Sequence, residues 1–174
     1  ALPISLVPRV HKAAQQLARA GRHVIVIGRP GHVEVRGIIE DLAHCTVISS
    51  PSQIEELPSR FLGVVSQSTT PPRLAAEVVA ALRTRFPDAD LQVVDTICQP
   101  TRDRQQAVLD LLPHIDALVV VGGKNSNNTR ELARIAQERG VRTLHIEHLE
   151  ELDPRWFAGV ATCGLTAEIG RAHV

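Results

Sequence analysis

Short β-branched apolar runs alternate with helical segments along this chain, and that alternation constrains the fold more than any other feature. His23-Val24-Ile25-Val26-Ile27-Gly28 suits a strand buried on both faces, and Ile115 to Val121 is the most apolar run of this kind. Further strands are predicted at Cys45–Ser49, Leu62–Val65, Leu91–Ile97, Val141–Ile146 and Val160–Leu165. Between them, Pro8 to Ala20 places Val10, Ala13, Ala14, Leu17 and Ala18 at helical spacing before a Gly21 stop. Pro71 and Pro72 open a helix to Arg85, Arg102–Leu112 is helical, and Thr129–Arg139 is a helix closed by Gly140. A short helix ending near Leu42 follows the first strand, and Ser52 with Glu55 has the pattern of a capping box for another.

The order repeats. In each half a helix leads to a buried strand, a glycine-containing polar loop, a second helix and a second strand. The expected architecture is therefore α/β, with two related subdomains of mainly parallel sheet and a boundary near residues 88–97, drawn as 1–90 and 91–167. In such units ligands gather beyond the carboxyl ends of strands, near helix N-termini. Two loops occupy that position. Gly28 and Gly31 permit close backbone approach, and His32 and Glu34 supply an acid/base pair that would share one side of an extended backbone. Ser126, Asn127 and Asn128 offer neutral groups for phosphate oxygens, with Lys124 as a source of charge; Asn127 or Asn128 equally suits a helix cap.

Composition removes several function classes. Nineteen basic and 19 acidic residues in 174 leave no net charge to attract nucleic acid, and Phe61, Phe86, Trp156 and Phe157 are the whole aromatic complement. No apolar run reaches membrane-spanning length and no signal-peptide pattern opens the chain, so the expected location is cytoplasmic. Cys45, Cys98 and Cys163 read as reduced thiols or metal ligands. His11, His114, His145 and His148 read as structural or surface residues. Neither a Walker lysine motif nor a G-x-G-x-x-G occurs, which weighs against nucleotide binding. The chain contains no methionine and is expected to be a fragment.

Together these segments resemble a family. Gly31-His32-Val33-Glu34-Val35-Arg36-Gly37 is similar to a Gly-His-Pro-Glu-Val-Glu-Gly stretch, and Ser66-Gln67-Ser68-Thr69 to a Thr-Gln-Thr-Thr segment. Asp95-Thr96-Ile97-Cys98 with Arg104-Gln105, and Gly123-Lys124-Asn125-Ser126-Asn127-Asn128, resemble two more. Leu152-Asp153-Pro154-Arg155-Trp156 and Gly164-Leu165-Thr166-Ala167 fit a closing segment. All belong to the LytB/IspH family of 4-hydroxy-3-methylbut-2-enyl diphosphate reductases.

The resemblance implies a reductive dehydroxylation that yields isopentenyl and dimethylallyl diphosphate, the last step of the non-mevalonate isoprenoid pathway. It implies a 4Fe-4S cluster held by three cysteines, a ferredoxin or flavodoxin type electron donor, and a trefoil-like arrangement of three α/β domains, of which this chain corresponds to the second and third. Carried over by motif, Cys98 is a cluster ligand, Glu34 the proton donor, and Ser68 a hydroxyl beside it. His32 serves the hydroxyl end of the substrate, while Ser126, Asn127 and Asn128 bind its diphosphate. Ile4 stands where a second cluster cysteine is expected, and Cys45 and Cys163 fall outside ligand positions. Residues 168–174 depart from the family pattern and are expected to be a non-native tail. The chain alone is expected to be inactive; the alternative reading is a cluster-free relative that only binds a small phosphorylated metabolite.

Overall fold

A computed structural model describes residues 7–168, so Ile4 and most of the 168–174 tail lie outside the described residues. The chain divides into two compact units, one ending at Cys98 and one beginning at Gln99. The expected boundary lay near residues 88–97 and was drawn at residue 90; the first unit ends one residue past that range. The physical reason is a strand at Asp90–Val93, which pairs in parallel with Phe61–Val64 and so belongs to the first sheet.

In the first unit, α1 (Val7–Arg19), β1 (His23–Ile27), α2 (Val33–Ile39), β2 (Cys45–Ile48), β3 (Phe61–Ser66), α3 (Pro72–Arg85) and β4 (Asp90–Val93) follow one another. Their four strands form one parallel sheet in the order β2-β1-β3-β4. Every residue of β1 is buried, as its unbroken apolar run requires. Alternate side chains serve opposite faces. Val24 and Val26 pack with Val10, Ala14, Leu17, Val35 and Ile38, while Ile25 and Ile27 pack with Leu62, Val64, Val78 and Leu82.

The second unit runs α4 (Gln99–Leu111), β5 (Ala117–Gly122), α5 (Asn127–Glu138), β6 (Arg142–Ile146) and β7 (Cys163–Glu168). Its sheet is parallel in the order β6-β5-β7. Leu118 and Val120 meet Val108, Leu112, Leu132, Ala133 and Ala136 in its core. Both units thus place their first strand between their second and third, which is the repeat expected from the order of segments. No described helix is long and apolar enough to cross a membrane.

Three elements differ from the sequence expectation. The Ser52/Glu55 capping box does not form. Pro51–Gln53 makes a single 3-10 turn, Ser52 Oγ bonds Ser50 Oγ at 2.8 Å, and Ile54 leaves in extended geometry to bury its side chain. β4 stops at Val93, because the side chain of Thr96 occupies the β3 groups that a longer strand would pair. β7 begins three residues late, because Asp116 Oδ2 accepts from the amides of Ala161 and Thr162 at 3.0 and 2.8 Å and holds them in a turn. Asp116→Ala should therefore destabilise the second unit by about 1 kcal/mol in urea denaturation, with faster amide exchange at Ala161 and Thr162.

Candidate functional site

The first site grows from the end of β1. Gly28 N donates to Ile48 O at 3.0 Å, and a Cβ at Gly28 would lie 2.9 Å from both Gln67 Cβ and Val35 Cγ2, so only glycine fits there. Gly31 adopts φ +78°, which lets the chain turn back so that His32 N reaches Arg29 O at 3.2 Å. His32 then caps α2. Its ring Nδ1 accepts from Glu34 N at 3.2 Å, which leaves Nε2 to carry the proton of the neutral ring.

Glu34 sits in the first turn of α2 and is 3% exposed. The backbone is thus helical there, not extended, and His32 meets Glu34 through its imidazole and the Glu34 amide. The carboxylate turns instead to Ser68. Ser68 N donates to Oε1 at 2.8 Å and Ser68 Oγ to Oε2 at 3.0 Å, both within a buried environment. Ser68 O in turn accepts from Cys98 N at 2.9 Å. Glu34, Ser68 and Cys98 are therefore linked end to end beyond the carboxyl edge of the first sheet, with His32 one turn away.

Gln67, a residue to which sequence alone assigns no role, holds this edge together. It is fully buried; its amide donates to Ile27 O at 2.8 Å, its Oε1 accepts from Arg29 N at 3.1 Å, and its Nε2 donates to Thr69 Oγ1 at 3.1 Å. Thr70 Oγ1 adds a bond to Ile27 O at 3.0 Å. A run of short polar residues directly after an apolar strand was the available signal.

The second site follows β5. His145 Nε2 donates to Gly122 O at 2.8 Å and anchors the loop from β6, a partner not evident from sequence. Ser126, rather than either asparagine, caps α5 by accepting from Thr129 N at 3.3 Å. Asn127 Oδ1 accepts from Arg130 Nη2 at 2.7 Å. Among the described residues, Asn128 Oδ1 and Thr129 Oγ1 are buried polar atoms with no partner, beside the free amides of a 12-residue helix. Lys124, though exposed, is paired within the second unit. Its amide donates to Glu147 Oε1 at 2.7 Å and its ammonium pairs with the Glu151 carboxylate.

The Lys124 ammonium and the amides of Glu147 and His148 hold the Glu151 carboxyl down at about 2, from an ordinary value of 4.5. A depressed carboxylate contributes above its ordinary value and loses that contribution as pH falls. The Lys124–Glu151 pair should therefore persist at neutral pH and dissolve as pH drops from about 4.5 through about 2, read by carboxyl NMR of Glu151.

For an iron–sulfur cluster the described residues offer little. No three His, Cys, Asp or Glu side chains gather as a metal site among them. Within the first unit, Cys45 lies at the amino end of the sheet opposite Val24, whereas Cys98 lies beyond the carboxyl end opposite Ser68. The described residues present one placed thiol and do not by themselves make a cluster site.

The family model described as LytB protein matches residues 5–170. A 4-hydroxy-3-methylbut-2-enyl diphosphate reductase of Anaeromyxobacter sp. (strain Fw109-5) is 41% identical over 155 residues, covering 88% of this chain and 54% of the relative. One of Aquifex aeolicus (strain VF5) is 38% identical over 166 residues, covering 92% and 57%. The solved structure of the E-1-hydroxy-2-methyl-but-2-enyl-4-diphosphate reductase from Plasmodium falciparum superimposes with a TM-score of 0.83 at 27% identity, over 93% of this chain and 52% of that one. The chain spans a little more than half the length of the relatives it matches. On the family match, and on relatives of this similarity, the chain belongs to the LytB family.

Proposed function

We propose that the protein containing this chain reduces 4-hydroxy-3-methylbut-2-enyl diphosphate to isopentenyl and dimethylallyl diphosphate. The names of its relatives support the reaction, and the buried Glu34 carboxyl bonded twice to Ser68 is the observation that carries it at the level of residues. The net change consumes two electrons and two protons. One proton leaves with the hydroxyl oxygen as water, and the other joins the allylic carbon framework.

Glu34 is the proton donor to the leaving hydroxyl. The carboxyl is withdrawn from bulk water, and Ser68 N and Oγ, donating to Oε1 and Oε2, fix its orientation. His32, with Nε2 as the available donor, supports the hydroxyl end of the substrate. Ser126, Asn127 and Asn128 bind the diphosphate, whose oxygens would accept from the first amides of α5 and from the buried, unpartnered Thr129 hydroxyl. A 4Fe-4S cluster in the intact protein would supply the electrons, taken from a ferredoxin or flavodoxin type donor, and Cys98 is the residue of this chain that would hold it.

In the intact protein under anaerobic assay, Glu34→Gln should lower kcat about 10²–10⁴-fold with little change in substrate binding. Asn128→Ala should raise KM while sparing kcat. Turnover near the parent rate with Glu34→Gln would remove Glu34 from the chemistry. Diphosphate binding without any turnover of the parent protein would support the binding-only alternative instead.

A further inference from the structure

Past the end of β4 the hydrogen-bond ladder on β3 continues in register, with one rung of unusual make. Val94 N donates to Val64 O at 2.9 Å, and Cys98 N donates to Ser68 O at 2.9 Å. Between these rungs, Thr96 faces Ser66. The Thr96 hydroxyl accepts from Ser66 N at 2.8 Å and donates to Ser66 O at 2.5 Å. One side-chain oxygen therefore satisfies both main-chain groups that a backbone residue would pair, and both residues are buried. On the opposite side of the same segment, Gln67 N is bonded to Ile27 O.

We propose that Thr96 is a positioning residue for the reaction: its hydroxyl keeps the chain in register beyond β4, so that Cys98 arrives opposite Ser68 and hence beside Glu34. The inference deepens the functional reading above and rests on its assignment of Cys98 and Glu34. A plain backbone rung at this position would serve a strand but would carry the chain on straight. The side-chain rung lets the regular strand end at Val93 while the amides of Val94 and Cys98 keep their register with β3. The thiol-bearing residue and the residue that orients the carboxyl are then joined by one backbone hydrogen bond, Cys98 N to Ser68 O.

The test uses the full chain with Thr96→Val, which keeps the shape and removes the hydroxyl, and Thr96→Ser, which keeps the hydroxyl. Iodoacetamide alkylation of Cys98 is read by mass spectrometry against Cys45, a half-buried thiol of the same unit, together with amide exchange at Cys98. Thr96→Val should raise the Cys98-to-Cys45 alkylation ratio and the Cys98 exchange rate about tenfold or more, because Ser66 loses both partners. Exchange at Gln67, bonded to Ile27 of β1, and at Gly28, bonded to Ile48 of β2, should stay unchanged, and Thr96→Ser should remain within about twofold of the parent. An unchanged ratio in Thr96→Val would overturn the proposal. So would loss of protection spread over the whole unit, or a Thr96→Ser protein that behaves like Thr96→Val. If Thr96→Val does not fold, Thr96→Ser decides: the parent ratio supports the proposal and a raised one sinks it. Neither readout needs cluster, substrate or turnover, so failure here counts against Thr96 and leaves the Glu34 assignment to its own assay.

Discussion

Buried main-chain groups must find partners, and at the carboxyl edge of the first sheet that requirement shapes everything around it. β3 ends at Ser66, yet the next residues stay buried through Ser68. Each of their exposed backbone groups is therefore matched by something brought from elsewhere: Ile27 on one side, Thr96 and Cys98 on the other, and the Glu34 carboxylate above. The candidate catalytic groups are these same partners. On the proposed function, chemistry and backbone satisfaction would be served by one set of contacts; the Glu34 carboxyl cannot move without leaving the buried Ser68 amide unpaired.

The two units solve the same topological problem with different chemistry at the loop. In both, a central parallel strand releases a glycine-containing loop that caps the following helix with a polar side chain, His32 in one and Ser126 in the other. In the first unit the carboxyl on that helix is consumed internally by Ser68. In the second, the cap leaves buried Asn128 and Thr129 oxygens unpartnered. A satisfied site suits proton transfer, where geometry must be held; one whose Thr129 hydroxyl and helix amides remain to donate suits a ligand that arrives bearing oxygens.

Much of this was legible beforehand. The apolar runs and their spacing indicated the strands, because a strand buried on both faces has few alternatives to continuous Val and Ile. The Ser52/Glu55 segment was misread, since local capping chemistry was outweighed by the burial of Ile54 two residues on. The extent of β4 was overestimated for a different reason: Leu91–Ile97 is apolar enough for a strand, but Thr96 pairs through its side chain and ends the regular ladder. Lys124 looked like a ligand-facing charge until Glu151, distant in sequence, was seen to bind it.

From sequence alone came the class of fold, the repeat, the positions of both loops, and the residues His32, Glu34, Ser68, Cys98 and Ser126–Asn128 as a set with a family resemblance. These depend on residue type and local spacing, which a linear string records. Which of them touch did not. That Glu34 bonds Ser68 and not His32, and that Thr96 brings Cys98 opposite Ser68, follows from strands that are neighbours in space but some thirty residues apart in sequence. Only a sheet closed by its buried hydrogen bonds could decide that, because the partner of a buried polar group is chosen by register and not by proximity along the chain.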